Sequence, residues 1–259
     1  MPSLTLAPLR RAGGMARSLF IYWRPGRQRS LQRLYRPFIA PGDIAFDVGA
    51  HLGDRSAAFQ ALGARVIALE PQPALAKWFQ RLLKRPDITL LPLAVGPRLG
   101  VAEIAISEGN PTLSTLANDW RHQVGERNPG FHHVRWEQTL QVDMTTLDAL
   151  IERYGTPRFI KIDVEGFEAE VLQGLHHPVA ALSVEFVAGM LEVSHACLEE
   201  IQRLGEYRFN AIAGERRRFL FEQWLTPEAM QQWLAQGAGQ LASGDIYACR
   251  HDHPILTDA

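Results

Sequence analysis

Apolar positions change their spacing along the chain in a way that separates strands from helices. Ile44-Ala45-Phe46-Asp47-Val48 is a short, nearly unbroken apolar run, and Val66 to Leu69 is a second. Runs of this length bounded by turn residues predict strands covered on both faces. Between them Arg55 to Leu62 reads as a helix closed by Gly63. After them Ala74 to Lys84 sets Leu75, Trp78, Phe79, Leu82 and Leu83 at helical spacing, and Thr89 to Val95 predicts a third strand. Strand–helix–strand–helix–strand from Pro41 onward is the first half of an open parallel sheet.

The rhythm then breaks. Val101 to Ser107 and Val134 to Val142 alternate as an antiparallel pair does. Glu108 to His133 between them is polar, holds Gly109, Pro111, Pro129 and Gly130, and predicts a long loop. Helices are expected over Thr146 to Tyr154, Ala169 to Gly174 and His195 to Leu204. Strands are expected over Phe159 to Val164, Leu182 to Val187 and Arg208 to Ala213. Thr226-Pro227 opens a last helix, with Thr as N-cap and Pro at the first helical position, and Asp245 to Arg250 closes the sheet. The prediction is a doubly wound α/β domain over 41–259, with an inserted hairpin and loop over 101–142 and a separate helical arm over 1–40.

Charge sets the arm apart. Residues 1–42 hold eight Arg and no Asp, Glu or Lys, so of 27 basic residues 19 remain against 28 acidic ones in the body, a formal −9. An acidic body argues against nucleic acid as a partner. The arm reads first as a helix capping the sheet with its Arg residues in solvent. The alternative is weak contact with a membrane surface or an anionic partner. Its apolar stretch, Leu19 to Trp23, is too short to span a bilayer or form a secretory signal. Cys197 and Cys249 stand far apart, which excludes a disulfide framework and suits a reducing cytoplasm; both are expected to be buried.

The candidate chemistry sits at strand ends. Asp47-Val48-Gly49-Ala50-His51-Leu52-Gly53-Asp54 joins a buried strand to a helix, where ligands bind in parallel sheets. Its spacing is G-x-x-x-G rather than the dinucleotide G-x-G-x-x-G, and an acid precedes it. Glu70 ends the second strand, placed to take a ribose diol. Together these predict a nucleoside site, without separating S-adenosylmethionine from a nicotinamide cofactor. In Phe159-Ile160-Lys161-Ile162-Asp163-Val164-Glu165-Gly166 a strand expected to be wholly apolar carries charges, with Lys161 and Asp163 on one face. A buried Lys needs a partner. Glu185 ends the adjacent strand. Two readings stay open: a polar cluster facing ligand, or a structural ion pair. No third ligand accompanies Asp163 and Glu165 at a spacing that asks for a metal, so none is expected. His132-His133 is expected to face solvent. Trp120 and Trp136 are read as packing before sugar stacking.

These segments, with Pro41-Gly42-Asp43, Val66 to Pro71, Leu93-Ala94-Val95-Gly96 and Thr146-Leu147-Asp148, resemble the FkbM-type methyltransferase family over about residues 30–190. The resemblance implies a class I methyltransferase sheet, mostly parallel with an antiparallel last strand. It implies S-adenosyl-L-methionine as cofactor and O-methylation of a sugar, lipid or secondary metabolite, with a small molecule or glycan as acceptor. It assigns cofactor contacts to Asp47, Gly49, Ala50, His51, Gly53, Asp54, Glu70, Pro71, Ala94, Val95 and Asp163. Catalytic candidates are Asp163, Glu165, Lys161 and His51, with Asn common in the family where this chain has His51. Two other classes compete. The missing G-x-G-x-x-G counts against a nicotinamide oxidoreductase, and the retained Asp163 and Glu165 count against a non-catalytic binding module.

Overall fold

The computed structural model describes residues 7–107, 109–110 and 113–256. The side chains of 7–12 and 16 lie outside that set, including Arg10 and Arg11 of the basic arm, as do Glu108 and Pro111 of the predicted loop. Along the chain the elements are α1 (Ala7–Trp23), α2 (Arg27–Tyr35), β1 (Ile44–Val48), α3 (Asp54–Ala61), β2 (Arg65–Leu69), α4 (Pro73–Leu82), β3 (Ile88–Leu91), β4 (Ala94–Val95), β5 (Gly100–Ile106), β6 (Ser114–Thr115) and α5 (Asn118–Arg127). They continue with β7 (Gln138–Thr145), α6 (Leu147–Tyr154), β8 (Phe159–Ile162), α7 (Glu168–Gln173), β9 (Ala181–Val187), α8 (Leu191–Arg203), β10 (Tyr207–Ala213), α9 (Pro227–Ala235) and β11 (Ser243–Arg250).

Seven strands form the main sheet in the order β10-β11-β9-β8-β1-β2-β3. β1 pairs in parallel with β2 on one side and β8 on the other, so strand order reverses there. β11 runs antiparallel to both β9 and β10, as the expected last strand does. The alternating faces divide the core. Phe46, Val48, Ile160, Ile162, Leu182, Val184 and Ile246 point to the side covered by α6, α7, α8 and α9. Ala45, Phe159, Ala181, Tyr247 and Cys249 point to the other side, where α2 and α3 pack. Full burial of a Phe or Leu is worth about 1.5–3 kcal/mol, so both layers weigh in stability. Cys197 and Cys249 are both free and buried.

Two predicted segments differ in the structure. The expected strand Thr89 to Val95 splits at Pro92: β3 stays in the main sheet, while β4 joins a second sheet of order β4-β7-β5-β6. Proline offers no backbone N–H to a ladder, which explains the break. The expected long loop holds β6 and α5. α5 buries only Trp120 and Val124, an i, i+4 pair on an otherwise polar helix, too sparse a stripe to stand out as periodicity.

The arm is built into the molecule. Leu31, Leu34, Tyr35 and Phe38 pack on Phe59, Phe159 and Tyr247. Met15, Leu19, Tyr22 and Trp23 of α1 meet Leu52, Leu75 and Trp78. The expectation that its Arg residues face solvent fails at Arg27, which is 3% exposed. Arg27 Nε donates to Asp54 Oδ2 at 2.7 Å, and Nη1 lies 2.9 Å from Glu215. Partners on α3 and on the segment after β10 make that burial tolerable. Among the described residues no helix is long and apolar enough to cross a membrane.

Arg27→Met should destabilise the protein by about 2 kcal/mol in urea unfolding, because it removes one of the two cations that partner the buried Asp54 carboxylate and leaves Arg55 alone on it. Arg27→Lys, which keeps the charge, should lose less.

Candidate functional site

The turn after β1 is shaped by left-handed backbone. Gly49 (φ +75°), His51 (φ +48°) and Gly53 (φ +78°) all sit there within five residues. A side chain at Gly49 would stand 1.8 Å from the Asp163 carbonyl oxygen, so β1 and β8 can approach only with glycine at that position. The turn is tied to the end of β2. The N–H groups of Gly49 and Ala50 donate to the Leu69 carbonyl at 3.0 and 2.9 Å. His51 N donates to Glu70 Oε2 at 3.0 Å, and Gln72 N donates to Glu70 Oε1 at 2.8 Å. Each Glu70 oxygen thus keeps a lone pair, and burial pushes the carboxyl up to about 8 against those two hydrogen bonds. Burial also lifts Asp47 to about 6, although the Ser56 hydroxyl donates to it at 2.5 Å.

The carboxyl end of β8 carries a second set of charges. Lys161 is 1% exposed, with Nζ 3.2 Å from Asp163 Oδ2 and 3.0 Å from Asp245 Oδ1. Burial works against the ammonium, but the two carboxylates outweigh it and raise its pKa. Burial would raise Asp163; Lys161, His51 and Arg55 overcome it and hold Asp163 low. Burial depresses His51, which favours the neutral imidazole. Glu165 and Glu185 are both pushed well above the carboxylate range, first by burial and then by neighbouring acids. Asp163, Glu165 and Glu185 each bring a carboxylate oxygen within 4.8 Å of the others. The sequence placed Glu185 on the neighbouring strand; the structure makes it the third member of one cluster.

The second sheet roofs this region. Thr115 Oγ1 of β6 donates to the Glu165 carbonyl at 2.6 Å, pinning the roof to the turn after β8. In that turn Glu165 (φ +55°) and Gly166 (φ +92°) are both left-handed. A side chain at Gly166 would meet the Trp120 ring at 2.3 Å, so the indole lies directly on the glycine. Glu168 accepts from Val164 N and Gly166 N, each at 3.0 Å. Under the roof lies a narrow cleft open to solvent at one side. Its walls are Val48, Gly49 and His51 after β1, Leu69, Glu70 and Pro71 after β2, Asp163 and Val164 after β8, and Leu93, Ala94, Val95, Ile104, Ser114 and Leu116 from the roof side. The cleft therefore opens at the carboxyl ends of β1 and β8, where strand order reverses.

Comparison with known proteins adds to this geometry. A family model, Methyltransferase FkbM domain, matches residues 47–235. The chain belongs to the FkbM methyltransferase family. The cofactor of that family's chemistry is S-adenosylmethionine. The hexuronic acid methyltransferase AglP of Haloferax volcanii is 31% identical over 150 residues, which are 56% of this chain and 54% of that protein. The chain thus spans about half the length of the curated relative it matches. Among solved structures, a precorrin-6y C5,15-methyltransferase from Geobacter metallireducens overlaps with a TM-score of 0.45 at 13% identity, covering 86% of each chain. A TehB-like SAM-dependent methyltransferase from Corynebacterium glutamicum gives 0.44 at 12%, covering 85% of this chain and 87% of its own. Overlaps of that extent carry no functional argument.

In this member of the FkbM family, seven of the residues predicted from sequence line the cleft: Gly49, His51, Glu70, Pro71, Ala94, Val95 and Asp163. The others lie behind it. Asp47 is held by Ser56 beneath the turn. Ala50 is 4% exposed. Gly53 starts α3 against Phe79 and Leu83. The Asp54 carboxylate is occupied by Arg27 and Arg55. Lys161 stands behind Asp163, and Glu165 is buried beside it. His132 and His133 are exposed, and Trp120 packs edge-on against Phe131 and Trp136. Sequence reasoning missed Ser114 and Leu116 of the roof, because polar loop sequence gave no sign of β6, and it placed Ile104 on a strand without bringing that strand over the cleft. It missed Asp245 and Glu168 as well. The carboxylate opening the final strand was a readable sign of the first.

The raised carboxyls set a pH dependence. Glu70 at about 8, Glu168 at about 7 and Asp47 at about 6 all lie above their unfolded values of 4.5, 4.5 and 3.8. Each then binds its proton more tightly in the folded state. The stability this provides is complete below pH 4 and is lost as pH rises to about 8. The melting midpoint of the ligand-free protein should therefore fall between pH 5 and about pH 8.5 in differential scanning fluorimetry. Glu70→Gln should flatten the upper part of that decline.

Proposed function

We propose that the cleft binds S-adenosylmethionine and that the chain transfers its methyl group to a hydroxyl oxygen of a sugar or another hydroxylated small molecule. The observation that carries this reading is the convergence of the Gly49 turn, Glu70 and Asp163 on one cleft. The residues fit the cofactor. Glu70 keeps two unused lone pairs for a ribose diol. The apolar walls Leu69, Leu93, Val95 and Ile104 suit an adenine ring. The carboxylate of Asp163 suits the positive end of the molecule.

When bound, the cofactor supplies a methyl carbon already activated by a sulfonium. The protein has to hold the acceptor oxygen in line and receive or release its proton. Asp163 faces the cleft as an ionised carboxylate, kept so by Lys161. A hydroxyl acceptor would donate a hydrogen bond to it. His51, neutral and on the same wall, is the second group able to take that proton. Lys161 acts through Asp163 as a positioning residue. Glu165, behind the wall, shapes the local charge. The hexuronic acid named for the relative supports a sugar acceptor, over the half of that protein which the chain spans.

Calorimetric titration with S-adenosylhomocysteine tests the cofactor, and transfer of labelled methyl from S-adenosylmethionine to uronic-acid-bearing and neutral glycans tests the acceptor. No heat at millimolar ligand would sink the first assignment. Glu70→Gln should weaken S-adenosylhomocysteine binding by about 10-fold, the scale of one or two hydrogen bonds, while circular dichroism stays unchanged.

Asp163→Asn should lower kcat by about 100-fold and leave cofactor affinity within a few-fold. The fold should survive, since Lys161 keeps Asp245 as a partner. A collapse of stability together with turnover would make Lys161 and Asp163 a structural pair only.

A further inference from the structure

The acid cluster beside the cleft holds more carboxyl groups than its neighbours can partner. Lys161 is already shared between Asp163 and Asp245. Glu168 is spent on backbone N–H groups. That leaves Glu165 and Glu185. Glu165 is only 6% exposed, and its Oε2 has no hydrogen-bond partner; Glu185 Oε2 is likewise buried and unpartnered. An unpaired buried carboxylate oxygen is costly, so two of them side by side need an explanation.

We propose that Asp163, Glu165 and Glu185 bind a divalent, oxygen-preferring cation next to the methyl-donor cleft. Their carboxylate oxygens lie within 4.8 Å of one another. Hard cations such as Mg2+, Mn2+ and Ca2+ hold oxygens at about 2.0–2.6 Å, so two oxygens on one ion can stand no more than about 4–5 Å apart. The 4.8 Å bound meets that limit for Ca2+, and a smaller ion at about 2.1 Å would draw the carboxylates a few tenths of an ångström closer. They come from two adjacent strands: Asp163 and Glu165 follow β8, and Glu185 lies in β9. Three protein oxygens leave further positions on the ion open for solvent or acceptor. The small separation also explains why residue spacing in the sequence gave no hint of a metal: two ligands are two residues apart, and the third is twenty residues further on, across a strand pairing.

The role of the cation rests on the methyltransferase reading. Asp163 lines the cleft, so an ion on it would also reach an acceptor hydroxyl entering from the roof side. A cation lowers the proton affinity of a bound oxygen. The O–H bond would break with its proton passing to His51 on the same wall, since Asp163 would be held by the ion, the O–C bond would form, and the C–S electron pair would remain on sulfur. The cation would be unchanged.

The test is Mn2+ binding to the chelator-stripped full chain, followed by electron paramagnetic resonance, with Mg2+ as competitor. One saturable Mn2+ with Kd below about 1 mM is expected. Glu165→Gln and Glu185→Gln should each weaken it by about 10-fold or more. Asp148→Asn, at a surface acid paired with His176 and His177, should not. The melting midpoint of the wild-type protein should rise with Mn2+ and not with NaCl of equal ionic strength, a readout that holds even if the variants fold poorly. No saturable binding, or binding that Glu165→Gln and Glu185→Gln leave intact, overturns the inference. S-adenosylhomocysteine titration of the same samples separates the two readings. Cofactor binding without Mn2+ binding removes the metal alone, and Mn2+ binding without cofactor binding removes the methyltransferase assignment alone.

Discussion

A single buried ammonium governs the arrangement at the strand ends. Lys161 points from β8 into the layer between sheet and helices, where an unpaired charge would cost several kcal/mol. It is stable there because carboxylates reach it from two directions, Asp163 just beyond β8 and Asp245 from β11. β9 lies between those strands, and at the position paired with Lys161 it carries the small Ser183. The closing strand is therefore bound to the centre of the sheet by charge as well as by its ladder. Asp163 owes its ionised state to the same contact, and the acids gathered around it set the electrostatics of the cleft.

Most of the scaffold was legible because buried parallel strands and amphipathic helices impose different periods. The seven strands of the main sheet all fall on apolar runs visible in the sequence. The failures have local causes. Pro92 divides a run that hydrophobicity alone treats as continuous, and the polar α5 buries only Trp120 and Val124. At the site, the Gly49 turn and Glu70 were readable because a strand followed by a tight turn carries its function in adjacent residues. The roof was not, since Ser114 and Leu116 are ordinary loop residues until β6 pairs with β5. Asp54 shows the opposite problem. It sits in the most informative stretch of sequence, yet its carboxylate serves Arg27, twenty-seven residues away.

The departure at His51 has a backbone reason. That residue is left-handed, with φ of +48°. Asn, common at this place in the family, and His are both among the few non-glycine residues enriched in that conformation. The exchange therefore preserves the turn and the N–H directed at Glu70. What changes is the side chain on the cleft wall, where an amide that cannot titrate gives way to an imidazole that can.

The contact between Trp120 and Gly166 joins two parts of the chain that would otherwise vary separately. The indole belongs to the inserted region, and the glycine to the turn that carries the acids. With no space for even a methyl group between them, Gly166 cannot gain a side chain while the indole stays. A relative with a side chain at the glycine position must therefore carry a different residue in place of Trp120. Covariation between these two positions, more than similarity within the insertion, would mark which relatives share this way of covering the cleft.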